Sequence, residues 1–205
     1  MWESFLSSLL DFIAPPRQTE KLVRALSLDN LQKLILQGGQ AGILPYHDER
    51  VRALIWELKY YANNTAATLA AELLHETLIA IASEQLGTPL LIPVPMHKTR
   101  KRMRGHNQTE VLCEALLPYV AGFFEYAPST LARVKKTAQQ QGLRKHIRLR
   151  NIAGSMEVTE SKKVLGRVCV LLDDVSTTGA TFAEATRALK AAGAAHVECI
   201  ALAQS

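Results

Sequence analysis

Cysteine is scarce: the 205 residues hold three, Cys113, Cys169 and Cys199, far apart and each inside an apolar segment. No CxxC and no Cys/His pair at metal spacing occurs, which speaks against a disulfide framework or a zinc site. Such cysteines read as small buried side chains. Long hydrophobic runs are missing as well. Ala115–Phe124 is among the longest, and Pro118 interrupts it well short of the roughly 18 residues a membrane helix needs. The first residues are apolar but carry Glu3 and Asp11 and no basic start, unlike a signal peptide, so a cytoplasmic protein without membrane contact is expected. Neither GxxxxGK[ST] nor GxGxxG is present, which argues against the common nucleotide loops. The six histidines form no metal cluster; His97, His106 and His146 lie in basic stretches that suit solvent or phosphate contact.

The composition is that of an ordered globular chain, 48% hydrophobic and 21% charged, and the length suits one sizeable domain with a small appendage. The charge is unevenly spread. Lys98, Arg100, Lys101, Arg102 and Arg104 form one cluster. Arg133, Lys135, Lys136, Arg144, Lys145, Arg148 and Arg150 form another, and neither stretch contains an acid. Together they hold half of the 24 Lys and Arg, while the remaining chain opposes twelve bases to all 19 acids. An acidic body with two concentrated basic segments predicts a polyanionic partner carrying phosphate.

Residues 1–37 read as short helices: Trp2–Ile13, stopped by Pro15 and Pro16, then Glu20–Leu26, then Leu28–Leu36 behind the N-cap Ser27. Val51, Leu54, Ile55 and Leu58 share a helical face, with Trp56 beside that stripe read as core. A second helix covers about Thr65–Leu86. Leu90–Pro95 is an apolar strand leading into the first basic loop, and its prolines leave either peptide isomer open. Asn107–Gly122 reads as helix, and Thr130–Val134 and Ser155–Val158 as strands. Val168–Leu172 is a continuous apolar run suited to a strand buried on both faces. Helix Phe182–Ala192 and a last strand near Val197–Leu202 follow. This alternation predicts a parallel α/β sheet.

The stretch Val168–Thr181, VCVLLDDVSTTGAT, carries the chemistry. A buried strand delivers Asp173 and Asp174 to its carboxyl end, where open α/β sheets bind ligands. The small, hydroxyl-rich loop that follows opens into a helix and can turn backbone N–H groups toward a phosphate. Two carboxylates would repel that phosphate on contact, so they fit hydroxyls of the same ligand, and the ligand reads as a sugar phosphate. The alternative is a plain strand–turn–helix in which Asp174 or Ser176 only caps the helix.

This stretch resembles the 5-phosphoribosyl-1-pyrophosphate (PRPP) motif of type I phosphoribosyltransferases, and residues 45–202 more specifically resemble the ComF family, linked in some bacteria to DNA uptake. LIWELKY at Leu54–Tyr60, IPVPMHKTRKRMRGHNQ at Ile92–Gln108, and Arg133–Asn151 with Thr137, Gln140 and Arg148 look like that family's motifs. ComF proteins usually open with a Cys₄ zinc module behind an apolar-Pro-Pro-x-Cys-x-x-Cys sequence. Phe12–Gln18 looks like that entry, but no cysteine follows, so the module is expected to be absent or replaced by a helical cap.

The resemblance implies a type I phosphoribosyltransferase (Rossmann-like) α/β fold, with a helical N-terminal hood at 1–45 and the phosphoribosyltransferase domain at 46–205. Asp173 and Asp174 would bind the ribose hydroxyls, and Ser176, Thr177, Thr178, Gly179, Ala180 and Thr181 would cradle the 5′-phosphate. Pro95, Met96, His97, Lys98 and Arg104 would meet pyrophosphate. Arg133–Arg150 would form the loop that closes over the reaction, with Lys135 and Lys136 stabilising the departing charge. Mg²⁺ is the implied cofactor, held by PRPP itself, with Asp173 or Asp174 beyond its ligands and no direct protein site. The implied activity is phosphoribosyl transfer to an unidentified nitrogen nucleophile with release of pyrophosphate. A chain starting Met1-Trp2 without a glutaminase region does not fit a complete glutamine-using enzyme. Two other readings stand beside it: association with single- or double-stranded DNA through the basic segments, and sensing of PRPP or a nucleotide without turnover. A homodimer is left open.

Overall fold

The structure, a computed structural model, describes residues 17–36, 42–135 and 152–205. Five strands form one parallel sheet in the order β1-β7-β6-β2-β3. They are β1 Gly42–Pro45, β2 Leu90–Pro93, β3 Glu125–Tyr126, β6 Val168–Ser176 and β7 His196–Gln204. A separate antiparallel ribbon pairs β4 Leu131–Arg133 with β5 Met156–Val158. The helices are α1 Gln18–Arg24, α2 Leu28–Gln32, α3 Glu49–Tyr61, α4 Asn64–Ser83, α5 Lys98–Arg104, α6 Gln108–Leu116, α7 Ser161–Val164 and α8 Ala180–Ala191.

Strand β6 is the axis. It pairs with β7 from Val168↔His196 to Ser176↔Gln204 and with β2 from Leu90↔Cys169 to Pro93↔Leu172. Alternation along β6 sends Val170 and Leu172 into one core, with α3, α4 and α6, and Cys169 and Leu171 into the other, with α8 and the ribbon. Both faces are covered, which is why this strand reads as an unbroken apolar run. After β2 the chain moves outward toward β3, whereas after β6 it moves the other way to β7. The carboxyl ends of β2 and β6 therefore flank a topological switch point, the crevice in which open α/β sheets bind ligands.

Helix α3 starts at Asp48, whose Oδ1 accepts from Arg50 N at 2.8 Å, and ends where Ala62 turns left-handed. Its apolar stripe is buried, and so is Glu57. That carboxylate accepts from Arg17 Nη2 (2.8 Å), Thr19 Oγ1 (2.6 Å) and Asn63 Nδ2 (3.0 Å), which pins α1 onto α3. Helix α4 is apolar and long enough to cross a bilayer, yet Ala66, Ala70, Leu74 and Leu78 pack inside the first core.

Several expectations need correction. Residues 42–45, assigned to the cap, form β1 and lie in the sheet against β7; only a glycine fits there, because a Cβ on Gly42 would stand 2.6 Å from Gln204 Cβ. The first basic loop is a helix, α5, begun by His97 and closed by Gly105 at φ +89°. The helix expected at 107–122 ends at Leu116, where the run meets Pro118, and α2 ends at Gln32 rather than Leu36. Strand β6 continues to Ser176, so the two acids lie within the strand, and β3, only two residues long, carries no periodic signal. No peptide bond among the described residues is cis. The helix expected at 2–13 lies outside the described residues.

The ribbon is fixed to α8 by Glu184. Its carboxylate accepts from Met156 N at 3.2 Å and from the Gly154 amide, and it grips Arg187 with two bonds of 2.8 and 2.9 Å. The Arg187 bonds, with the two amides, outweigh burial and hold the carboxyl at about 2 rather than the ordinary 4.5. Because the folded value is depressed, the stabilisation is complete above pH 4.5 and is lost as the pH falls toward 2. Glu184→Gln is therefore expected to cost about 2 kcal/mol at pH 7, with the gap closing below about pH 3, as read by urea denaturation across pH.

Candidate functional site

The switch-point crevice is a cleft of about 460 Å³. Its floor is the end of β6, where Asp173 and Asp174 are both buried. Asp174 N donates to Asp173 Oδ1 at 2.8 Å. Neighbouring positions on a strand face opposite ways, and the two acids meet different partners. Asp174 Oδ2 pairs with Lys59 Nζ, reaching in from α3, at 2.9 Å, and Gln108 of α6 also donates to this carboxylate. Asp173 lies on the ribbon side, within the field of Arg133.

Burial raises the pKa of both acids, and two adjacent carboxylates cannot both ionise cheaply. Burial and then the charge of Asp174 push Asp173 well above the usual carboxylate range. For Asp174 the burial penalty is outweighed by the Lys59 ammonium and by hydrogen bonds from Asp173, Lys59 and Gln108, so it stays below its ordinary value. The pair therefore carries its negative charge chiefly on Asp174, matched by Lys59.

From the acids the chain turns directly into α8. Gly179 opens that helix at φ +72°, a left-handed conformation that disfavours a side chain, and Thr178 Oγ1 accepts from Ala180 N at 3.4 Å. Ser176–Thr181 thus line the cleft at a helix N-terminus, an arrangement that offers backbone donors to an anion. The facing wall is cationic. Arg100 and Arg104 come from α5 and Arg133 from β4. Arg104 Nη1 donates to Gln108 Oε1 at 2.8 Å, and its guanidinium stands 5.1 Å over the Tyr60 ring. Asn107 begins α6 and ties it to the turn after β2, its Nδ2 donating to Val94 O at 3.2 Å while Thr109 Oγ1 donates to the same carbonyl at 2.7 Å. A buried acid pair, a helix-end cradle and three arginines therefore share one cleft.

Residues 93–205 match the model of the phosphoribosyl transferase domain. The chain belongs to the phosphoribosyltransferase family. Within it the likeness is to ComF proteins. The chain is 35% identical over 147 residues to the DNA utilization protein YhgH of Salmonella typhi, covering 71% of this chain and 63% of that protein. It is 29% identical over 166 residues to Competence protein F of Haemophilus influenzae, covering 80% and 72%. The chain thus spans a little under two thirds of the length of the YhgH relative. A hypoxanthine phosphoribosyltransferase of Staphylococcus aureus aligns with a TM-score of 0.42 at 10% identity, over 70% of this chain and 65% of that one.

The phosphoribosyltransferase cleft gathers Asp173, Asp174, Ser176–Thr181, Pro95, Met96 and Arg104 from the residues expected to meet PRPP. His97 and Lys98 do not line it: His97 Nδ1 accepts from Thr99 N at 3.3 Å at the start of α5, and Lys98 is exposed. Lys135 is exposed and outside the lining, and Lys136 lies outside the described residues. His106, expected near solvent or phosphate, instead meets the Leu58 carbonyl at 3.1 Å. Trp56, read as core, is 48% exposed and leans on Tyr60 with ring centroids 4.3 Å apart. Of the cysteines expected to be buried, Cys113 and Cys169 are, and burial pushes the Cys169 thiol up to about 11, whereas Cys199 is only half-buried.

Lys59, Arg100, Arg133, Tyr46 and Ser205 also line the cleft but had no assigned role. Two were detectable. Lys59 falls four residues after Ile55, on the buried stripe of α3, where an apolar residue belongs. Arg133 stands two residues after buried Leu131 on β4 and so shares its inward face. Its Nε and Nη2 are buried with no hydrogen-bond partner among the described residues. Burial lowers its pKa, Asp173 raises it and the like charge of Arg100 lowers it again, with a net downward shift. An unmatched buried cation is a cost in the empty protein and an asset once an anion arrives. Arg133→Met is expected to raise the unfolding free energy by about 1 kcal/mol while weakening binding of inorganic pyrophosphate, used as an anionic probe, at least about tenfold, read by thermal denaturation and calorimetry on the same sample.

Proposed function

We propose that the protein binds PRPP in this cleft and transfers its phosphoribosyl group to a nitrogen nucleophile, releasing pyrophosphate. The observation that carries the reading is the buried acid pair sharing one cleft with the α8 cradle and three arginines. This set of groups suits one ligand that carries both hydroxyls and phosphate groups. In this reading Asp173 and Asp174 hold the ribose hydroxyls, Ser176–Thr181 hold the 5′-phosphate, and Arg100, Arg104 and Arg133 face the pyrophosphate. The bond from C1 to the pyrophosphate oxygen breaks with its electron pair leaving on that oxygen. Cations fixed in advance favour that charge more as it grows. Lys135 and Lys136, assigned by the resemblance to the departing charge, would add to this field.

No group of three or more His, Cys, Asp or Glu converges among the described residues, and Asp174 is already paired with Lys59. That donor set fits Mg²⁺ carried on the oxygens of PRPP and approached by Asp173 or Asp174 through water. When bound there it would supply charge neutralisation to the leaving group. The test is titration calorimetry with PRPP and Mg²⁺. Wild type is expected to bind, and Asp173→Asn with Asp174→Asn to lose binding while remaining folded; a folded wild type that takes up no PRPP would overturn the reading.

A second reading rests on a different surface. Arg52, Trp56 and Tyr60 are exposed at successive turns of α3, and the row ends under Arg104 at the cleft mouth. Cations interleaved with aromatic rings suit the backbone and bases of a single nucleic-acid strand. The names of the Salmonella and Haemophilus relatives, which refer to DNA utilization and competence, agree with such a role. Trp56→Ala should weaken binding of a labelled single-stranded oligonucleotide at least about fivefold and leave PRPP calorimetry unchanged. Equal oligonucleotide affinity in the two proteins would exclude this face.

A further inference from the structure

Helix α3 lies outside residues 93–205, the segment matched to the domain model, yet it delivers a side chain to the centre of the cleft. Lys59 Nζ stands 2.9 Å from Asp174 Oδ2, and its side chain is 29% exposed against 6% for its partner. The helix that carries it is clamped from several sides. The Glu57 network holds α3 to α1, and His106 grips the Leu58 carbonyl next to Lys59. The backbone that carries Lys59 is therefore fixed, and its ammonium is held by Asp174.

We infer that Lys59 is a charge-compensating positioning residue of the PRPP site, cancelling the charge of Asp174 so that the acid pair can accept ribose hydroxyls without repelling a polyanion. The inference rests on the PRPP reading and adds the residue that makes it electrostatically workable. Both acids line the same cleft as the α8 cradle and Arg100, Arg104 and Arg133. A ligand spanning those two anion sites must bring several negative charges past Asp174. Charges a few ångströms apart in a site of intermediate dielectric repel by kilocalories. Lys59 removes that repulsion at its source and orients the carboxylate through Oδ2. Tyr46, also on the cleft wall, adds a phenolic oxygen within the field of the ammonium.

A double-mutant cycle separates this role from two others. Lys59→Met should weaken PRPP binding at least about tenfold, with a smaller loss for ribose 5-phosphate, which carries fewer charges. Lys59→Arg should recover most of the affinity. Adding Asp174→Asn to Lys59→Met should restore part of the loss, because the unmatched charge is then gone. If Lys59 instead touched a phosphate directly, the two losses would add; if it only supported the fold, PRPP and ribose 5-phosphate would suffer alike. Either result overturns the inference, as does a Lys59→Met protein that binds PRPP like wild type. A wild type without PRPP affinity would remove the reading beneath it, an outcome distinct from all of these.

Discussion

Two carboxylates on consecutive residues at the buried end of the central strand are the constraint around which this molecule is arranged. Neither could be ionised there alone without a large desolvation cost, and together they would repel each other. The structure meets the problem by shifting the two acids in opposite directions, with one ammonium and the amide and side chains that hold them. Those partners come from far apart in the chain: Lys59 from α3 and Gln108 from α6. The packing of both helices onto the sheet is thus tied to the charge state of the cleft floor. A shift of α3 by a turn would withdraw the cation and leave Asp174 unmatched.

The pleat of β6 divides the work. One acid faces the layer of α3, α4 and α6; the other faces α8 and the ribbon. Each layer then contributes its own cations, Lys59 and Arg104 on one side and Arg133 on the other. The cleft is the seam where two otherwise separate cores meet. Lys59 and Gln108 reach one acid from the helices, while Arg133 is kept short of hydrogen-bond partners among the described residues. A site of this kind favours an anion because it is incomplete without one.

What the sequence made legible was local. Val168–Thr181 lies in one unbroken strand–turn–helix, so its apolar run, acids and small hydroxyl residues could be read in order, and the parallel α/β class followed from the alternation around it. Contributions that arrive through tertiary packing were harder. Arg133 was visible only as one member of a basic stretch, and its inward aim depended on a three-residue strand. Lys59 lay inside a recognised motif, but its meaning required knowing which strand α3 would cross. Trp56 was misread because its neighbours on the helix are apolar. The face it occupies is turned outward, and the buried stripe passes on the other side. The two-residue β3 has too few positions for alternation to register, and the basic run at 98–104 hid a helix because charge masks periodicity when every position is polar.

The ribbon also bears on how the molecule can vary. Val134 N donates to Ser155 O at 2.8 Å, and Glu184 fastens the same end to α8, so the chain leaves and re-enters this layer at one fixed point. That closed end of the ribbon is set apart from the five-stranded sheet. In general, doubling the length of a loop between two points held together adds only about 0.6 kcal/mol of closure entropy. Changes of length at this junction are therefore inexpensive for the fold, while the acids and their cradle remain undisturbed. Among descendants of this fold, that junction is where length polymorphism should accumulate, and where a new recognition segment could be grafted.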